Sequence, residues 1–413
     1  MNKSPQSFSG MVLSPFEYHK KLRDHFKSRK KTWNWFSEES NKSKQVEEFK
    51  TNLLKNTYRM DNESHENLYE LAHEVCQALK IDAQVTLYQE HNSLQLNAGI
   101  SIIDNEAHIV FSGNLVGLLS EDEIKALLAH ELSHYLFYKI DNGEYEITRR
   151  IALALANDVR SEDAIIETAR IFQLYMELFC DNGALQVCHD YKTVIQMLVK
   201  LNTGLTQVNA ESYLAQAQEI INFDSNVTLN ESHPESYIRC LALHLHVEKN
   251  EDYFGKVKHL IEGEIDLNKL DIFQQSIMQE YTKDLLQLVV TPVWMNSSAV
   301  TNLCKEYFSD FYRNAEHKQA NRLAGELEKT MPSVKNYMAY LLLDFAKADP
   351  DMESAPMGHT LEIAELLGLK DHYEKNIRKE LKLTARDFKI MKEKALAELQ
   401  EVKEGKEESL YND

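Results

Sequence analysis

The spacing of apolar residues changes twice along the first half of the chain. In residues 46–80 apolar side chains recur three or four positions apart, which predicts helix. Examples are Leu68, Leu71, Ala72, Val75 and Leu79. Residues 84–89, 94–103 and 107–112 are short alternating or β-branched runs between polar turns, which predicts three strands. The pattern therefore indicates a small antiparallel sheet after a helical segment.

The helical period returns after the third predicted strand. Residues 120–139 are predicted to form a helix that begins with a capping box between Ser120 and Glu123. The polar, glycine-containing stretch 141–143 is predicted to end this helix. Residues 144–158 are predicted to form the next helix.

The helix over 120–139 carries the motif His-Glu-x-x-His at His130, Glu131 and His134. Residues four apart project from the same face of a helix, so both histidines can reach one metal ion. Glu131 lies close enough to act on a water held by that metal. Chance alone would produce this motif roughly one time in twenty in such a chain. The apolar residues on both sides favour a metal site, because buried ionisable groups need partners.

A second apolar helix, predicted over 161–189 with Ser161 as its N-cap, carries two carboxylates four residues apart. Catalytic zinc sites have three protein ligands and one open position, so Glu177 is the predicted third ligand. Asp181 is predicted to accept a hydrogen bond from the second ring nitrogen of a ligand histidine. The alternative is an exposed acidic pair on a surface helix.

The composition is that of a globular protein with room for two or three domains in 413 residues. The formal net charge of −19 argues against a broad nucleic-acid-binding surface. No apolar run is long enough to predict a transmembrane helix, and the first residues lack the apolar core of a signal peptide. The five cysteines are scattered without paired spacing. Together these features predict a cytoplasmic protein.

A basic, aromatic-rich segment lies near the start of the chain, over about residues 15–36. Such a helix can lie on an anionic membrane surface or bind an acidic partner. The simpler interpretation, which we favour, is that its apolar residues pack onto an acidic protein body. These residues are Phe16, Leu22, Phe26 and Trp33.

Residues 97–184 resemble the zinc metallopeptidases typified by HtpX and the CAAX prenyl proteases. Those enzymes share an Asn-Ala strand, an acidic helix start, His-Glu-x-x-His and a following Glu-x-x-x-Asp helix. The resemblance extends over about residues 60–245 and implies the same set of roles, with one zinc ion per chain. Typical relatives carry hydrophobic membrane spans, which this chain lacks, so their membrane substrates are not implied.

The segment 232–240 adds a further similarity to that family, a His-Pro pair followed by an arginine. By this resemblance, His233 or Arg239 would stabilise the oxyanion of a tetrahedral intermediate, or His233 would approach the zinc in a resting state. The alternative is structural, because Pro234 suits the first position of a helix, with Ser232 or His233 as its cap.

The predicted fold class is α+β and mostly helical: a zincin-like peptidase domain with a small antiparallel sheet before the motif helix, then an all-helical C-terminal region. The predicted divisions are an N-terminal basic helical arm (1–60), the metallopeptidase domain (61–250), a helical C-terminal domain (251–391) and a charged tail (392–413). Within the third, residues 340–370 faintly resemble TerB-like helical domains.

These features predict a zinc-dependent metalloendopeptidase that uses zinc-activated water, with Glu131 as general base. The expected substrate is a peptide or an unfolded protein, and the C-terminal region is a candidate surface for a protein partner. The alternative is a zinc-bearing peptide-binding or scaffold protein with little turnover.

Overall fold

The computed structural model describes residues 13–38, 42–223, 233–314 and 319–406. The chain divides into two compact units, residues 1–263 and 264–413. The predicted fold class is confirmed, since the chain is mostly helical with one small sheet near its N-terminal end. Among the helices of the described residues, none has the length and apolarity needed to cross a membrane.

The first unit combines helices with that sheet. Its helices are α1 (Glu17–Ser28), α2 (Lys30–Ser37), α3 (Lys42–Asn56), α4 (Glu66–Leu79), α5 (Leu115–Leu118), α6 (Glu121–Lys139), α7 (Glu144–Ala156), α8 (Asp163–Cys188), α9 (Tyr191–Thr203), α10 (Ala210–Phe223), α11 (Ser236–Val247) and α12 (Tyr253–Glu262). Its strands are β1 (Thr57–Arg59), β2 (Gln84–Glu90), β3 (Asn97–Ile103) and β4 (Glu106–Ser112).

The sheet has the strand order β1-β2-β4-β3 and is mixed, so the prediction of an antiparallel sheet is wrong in one pairing. β3 and β4 form an antiparallel hairpin whose turn places Asp104 in a left-handed conformation with φ 52°. β2 pairs with β4, and that pairing is parallel. After β2 the chain first forms β3, two positions away in the sheet, and β4 then returns between them in the direction of β2. β1 was expected to be helical and instead pairs with β2.

The motif helix α6 starts as predicted. Ser120 accepts from the backbone N–H of Glu123, whose side chain accepts from the N–H of Ser120. The buried Glu123 carboxylate also accepts from Lys200 Nζ at 2.8 Å. After α6 the chain reverses through Asp141 and Asn142, both with positive φ, which confirms the predicted helix break.

The predicted N-cap at Ser161 is wrong. Glu162 occupies the N-cap of α8, and the Ser161 hydroxyl donates instead to the carbonyl of Leu155. The carbonyl at the end of α7 offers that hydroxyl a partner, so it does not cap α8.

α6 and α8 cross at close range at Gly183. A Cβ at Gly183 would overlap Ser133 Oγ, so only glycine allows this separation of the two helices. Ser133 turns its hydroxyl back to the carbonyl of Ala129 at 2.6 Å and leaves the contact free of an unpaired polar group. The crossing brings one face of α8 against the face of α6 that carries both motif histidines.

The basic N-terminal segment packs on the first unit through the apolar side of α1, as the simpler interpretation expected. Phe16, Leu22 and Phe26 are buried, and Trp33 is half-buried. His19 is also fully buried, with Nε2 3.1 Å from the carbonyl of Phe172.

The second unit is helical around a single apolar core. Its helices are α13 (Ile272–Val289), α14 (Ser298–Tyr307), α15 (Ala320–Glu328), α16 (Pro332–Ala346), α17 (Ala355–Leu366), α18 (Lys370–Glu380) and α19 (Ala385–Glu401). α17 and α19 also cross at a glycine, because a Cβ at Gly358 would overlap the carbonyl of Ala395. The predicted charged tail continues as helix to Glu401, and residues 407–413 lie outside the described part.

Candidate metal centre

The two motif histidines lie side by side on α6 and face α8. Both are buried, with exposed fractions of 5% for His130 and 8% for His134. Their ring centroids are 5.2 Å apart. Nε2 of His130 lies 3.4 Å from Glu177 Oε2, and Nε2 of His134 lies 3.6 Å from Glu177 Oε1. The structure therefore brings together the three side chains that were predicted as ligands.

Two atoms of this cluster are buried without a hydrogen-bond partner among the described residues, Glu177 Oε2 and His134 Nδ1. A buried carboxylate oxygen left in this state is costly unless a cation meets it. Two imidazole nitrogens and one carboxylate form a donor set that zinc accepts in catalytic sites. The residues present therefore fit a zinc ion.

His130 is oriented from behind by Asp181. The ring Nδ1–H donates to Asp181 Oδ1 at 3.0 Å, which turns Nε2 towards Glu177. Burial alone would lower the pKa of His130, but the nearby carboxylates of Asp181 and Glu177 outweigh it and raise the pKa to about 9. This is the contact predicted for Asp181, and it matches the carboxylate–histidine arrangement that supports metal ligands.

Arg239 holds Asp181 in turn. Its Nε donates to Asp181 Oδ2 at 2.7 Å and its Nη2 to Oδ1 at 2.6 Å. Burial opposes ionisation of Asp181, but the charge of Arg239 outweighs it and keeps the carboxyl pKa below its usual value. Arg239 is itself buried, and Nη2 lies 3.8 Å from Glu177 Oε2. Because Nε and Nη2 of Arg239 donate to Asp181, few of its N–H groups remain for the predicted oxyanion role.

Glu131 is buried beside His130 on α6, with 6% of its surface exposed. Burial raises the pKa of its carboxyl group to about 7. A carboxylate with a pKa near neutrality can both accept and return a proton under physiological conditions. Glu131 therefore has the property that a general base requires.

His233 reaches the centre from the segment before α11. Its Nε2 lies 3.5 Å from Glu177 Oε2, and its side chain is 58% exposed. The structural alternative for this segment is wrong in detail, because α11 begins at Ser236 with Glu235 as N-cap. Pro234 precedes the helix, and Ser232 lies outside the described residues.

Cys180 is a second candidate for the third ligand, and no motif in the sequence indicates it. Its Sγ lies within 4.8 Å of ligand nitrogens of His130 and His134. Burial, reinforced by nearby carboxylates, raises the pKa of the Cys180 thiol well above its usual value, so it is protonated. Burial also opposes ionisation of Glu177, but His130 and His134 outweigh it and lower the carboxyl pKa. Glu177 is thus the ionised donor, and metals bind the ionised form.

The sheet presents one free edge beside this centre. β3 pairs with β4 on one side and, within the described residues, with no strand on the other. α6 also packs against β3. An edge of this kind can accept an extended peptide as an additional strand.

Comparisons with known proteins relate part of this chain to a known family and to one named protein. The model of the SprT-like family matches residues 60–147, which include β2, β3, β4 and α6. A chloroplast protein of Arabidopsis thaliana, plastoglobule-localized metallopeptidase 48, is 31% identical over 161 residues. That alignment covers 37% of this chain and 46% of the relative, so this chain spans less than half of the relative's length. No solved structure matches significantly.

The chain thus carries a SprT-like region and is similar to a protein named as a metallopeptidase. These findings support a metallopeptidase-type protein at the level of family. They do not confirm the finer resemblance to HtpX and the CAAX prenyl proteases or the TerB-like segment, both of which stay predictions.

Proposed function

We propose that this protein is a zinc-dependent metalloendopeptidase, with zinc bound by His130, His134 and Glu177. The observation that carries the proposal is the buried Glu177 carboxylate, which faces both Nε2 atoms and has one oxygen without a hydrogen-bond partner among the described residues. The match to the SprT-like family and the similarity to a named metallopeptidase support it.

When bound, zinc would polarise the peptide carbonyl and acidify the attacking water. Glu131 takes the proton of that water and delivers it to the leaving amine, which its pKa of about 7 permits. Asp181 keeps the His130 ring in the tautomer whose Nε2 is free. Arg239 acts on Asp181 and is a positioning residue in this proposal.

Among the described residues, His233 is the group best placed to meet the developing oxyanion. Its side chain is more than half exposed, and it already lies 3.5 Å from the Glu177 carboxylate. The substrate peptide would lie along β3, where main-chain hydrogen bonds hold it without demanding a particular sequence. A cytoplasmic location and a protein partner for the C-terminal unit are also proposals.

The test compares Glu131→Gln with Glu121→Gln, which makes the same change at an exposed position of α6. Both variants should retain about one zinc per chain, because neither residue is a proposed ligand. Casein hydrolysis should fall about 10²- to 10⁴-fold in Glu131→Gln alone. A chelator should abolish hydrolysis by the wild type.

Normal hydrolysis by Glu131→Gln would overturn the mechanism. Zinc below about 0.1 equivalents, with none regained on addition, would overturn the metal site itself. One bound zinc without casein hydrolysis by the wild type would favour the zinc-bearing binding protein instead.

A further inference from the structure

Arg149 on α7 is a positive charge without a hydrogen-bond or ion-pair partner in the described part of the chain. Its Nε is buried and has no hydrogen-bond acceptor there, and no ion pair joins its guanidinium to a described residue. The next residue, Arg150, does have such partners. Arg150 pairs with Glu146 at 2.9 Å and donates from Nη2 to the carbonyl of Phe36 at 2.7 Å. In a chain with 65 acidic residues, an unpaired arginine needs an explanation.

The unpaired guanidinium lies beside the metal centre. Its Cζ is 5.3 Å from the ring centroid of Tyr138. Tyr138 follows His134 by one turn of α6, and the two ring centroids are 6.4 Å apart. Tyr138 therefore lies close to both the Arg149 guanidinium and the proposed zinc ligand His134.

This stacking places a cation where it can bind an anion that the described residues do not supply. The aromatic face of Tyr138 attracts the guanidinium and limits its orientations, so little entropy is lost when a ligand binds. A guanidinium whose planar fork is free matches the geometry of a carboxylate, to which it donates two parallel hydrogen bonds. The carboxylates that approach a peptidase centre are those of the substrate.

We propose that Arg149, stacked on Tyr138, forms a subsite that binds a carboxylate of the peptide lying at the metal centre. This inference rests on the proposed function and adds to it a preference for substrates that carry a carboxylate at this position. The carboxylate belongs either to an Asp or Glu side chain near the scissile bond or to the C-terminus of the peptide. Both sources present the same chemistry to Arg149.

The first experiment uses peptides of casein that the full-length wild type cleaves fastest, each synthesised in three forms. One form is native, one has the nearest Asp or Glu replaced by its amide, and one has an amidated C-terminus. For the wild type, kcat/KM should fall about tenfold or more in one of the two altered forms, which identifies the source. Arg149→Gln should remove this discrimination, and Arg149→Lys should restore part of it.

Arg150→Gln is the matched control, since it removes the neighbouring charge on the same helix. Its discrimination between the three forms should equal that of the wild type. Two results would overturn the inference: a wild type that does not distinguish the forms, or Arg149→Gln with undiminished discrimination.

A binding measurement separates this inference from the proposed function. Zinc-loaded Glu131→Gln is mixed with casein peptides before and after their carboxyl groups are amidated, and bound peptides are identified by mass spectrometry. A preference for free carboxylates that disappears in Glu131→Gln/Arg149→Gln supports the subsite even if the wild type cleaves nothing, in which case only the proposed function fails. The absence of that preference overturns the subsite, whatever the rate of cleavage.

Discussion

Each unit of the molecule contains a pair of helices that cross at a glycine, and the two crossings bury different chemistry. In the first unit α6 meets α8 at Gly183, and the crossing lies beside His130, Glu177 and Asp181. In the second unit α17 meets α19 at Gly358, against the carbonyl of Ala395 in an apolar core. Helices therefore approach closely at a glycine in both units, so such a crossing does not by itself indicate a functional site.

The difference lies in how the buried polar atoms beside the two crossings are satisfied. In the second unit the buried Thr360 hydroxyl lies 3.0 Å from the carbonyl of Pro356 and 2.7 Å from the hydroxyl of Tyr373. Beside the first crossing, Glu177 Oε2 and His134 Nδ1 have no hydrogen-bond partner among the described residues. Folding leaves such atoms unpaired only at a cost, and Asn376 Nδ2 in the second unit is another example. Beside the first crossing two such atoms belong to one histidine–carboxylate cluster, which indicates that a ligand completes the structure there.

The largest expected difference concerns buried charge. Asp181→Asn leaves Arg239 buried without its ionised partner, so the free energy of unfolding should fall by about 3–5 kcal/mol. Zinc affinity should also fall about 10- to 100-fold, because His130 loses its carboxylate support. Urea unfolding and competition with a zinc chelator measure the two effects.

Glu362→Gln in the second unit is the comparison. Glu362 and its partner Lys403 are both about half exposed and remain hydrated without each other, so the expected loss is about 0–1 kcal/mol. Equal losses of unfolding free energy in the two variants would show that burial of the Asp181–Arg239 pair does not increase its contribution to stability.

The next largest difference should appear on raising the pH of metal-free protein. The folded-state pKa of His130 is about 9, above its unfolded value of 6.5, so its stabilisation is complete below pH 6.5 and is lost as the pH rises through 9. The loss should be on the order of 3 kcal/mol. In the second unit burial lowers the pKa of His359, so that histidine costs stability only as the pH falls.

Hydrogen exchange at pH 6.5 and 9, corrected for the intrinsic rate, checks this contrast. Protection of α8 should fall and protection of α17 should not. Asp181→Asn should flatten the response of α8, because the raised pKa of His130 depends on that carboxylate. A pH response of α8 that survives this substitution would assign it to another group.

The smallest expected effect comes from adding a methyl group at each glycine. Gly183→Ala and Gly358→Ala should each destabilise the protein by about 1–3 kcal/mol through overpacking. Only Gly183→Ala should weaken zinc binding, because it separates the helices that supply the ligands. Ser133→Gly in the same chain should restore much of that affinity by removing the overlapping atoms. Equal weakening of zinc binding by both single variants would contradict the comparison.

The sequence predicted the elements around the centre well because each carries a local signal. The capping box at Ser120, the break after α6 and the apolar face of α8 depend on neighbours a few residues apart. Strand pairing is not local, so the parallel pairing of β2 with β4 and the position of β3 at the edge could not be inferred. The strand β1 was missed because three residues are too few to show alternation.

The residues of the candidate site were likewise predictable only where the signal is local in sequence. The spacing of His130 and His134, and of Glu177 and Asp181, follows from helical geometry, so their convergence was predictable once the two helices were expected to pack. Cys180, Gly183 and the pair of Tyr138 with Arg149 carried no motif. Their importance depends on distances across helices that spacing along the chain does not reveal.

The open edge of the sheet has a consequence for the protein in solution. Between Asn97 and Ile103, β3 carries no charged side chain, although charges at an edge are a common protection against pairing with another copy. An edge left free for a peptide is equally open to the edge of a second molecule. Colloidal stability then depends on the net charge of −19, which makes molecules repel one another and is screened as salt rises.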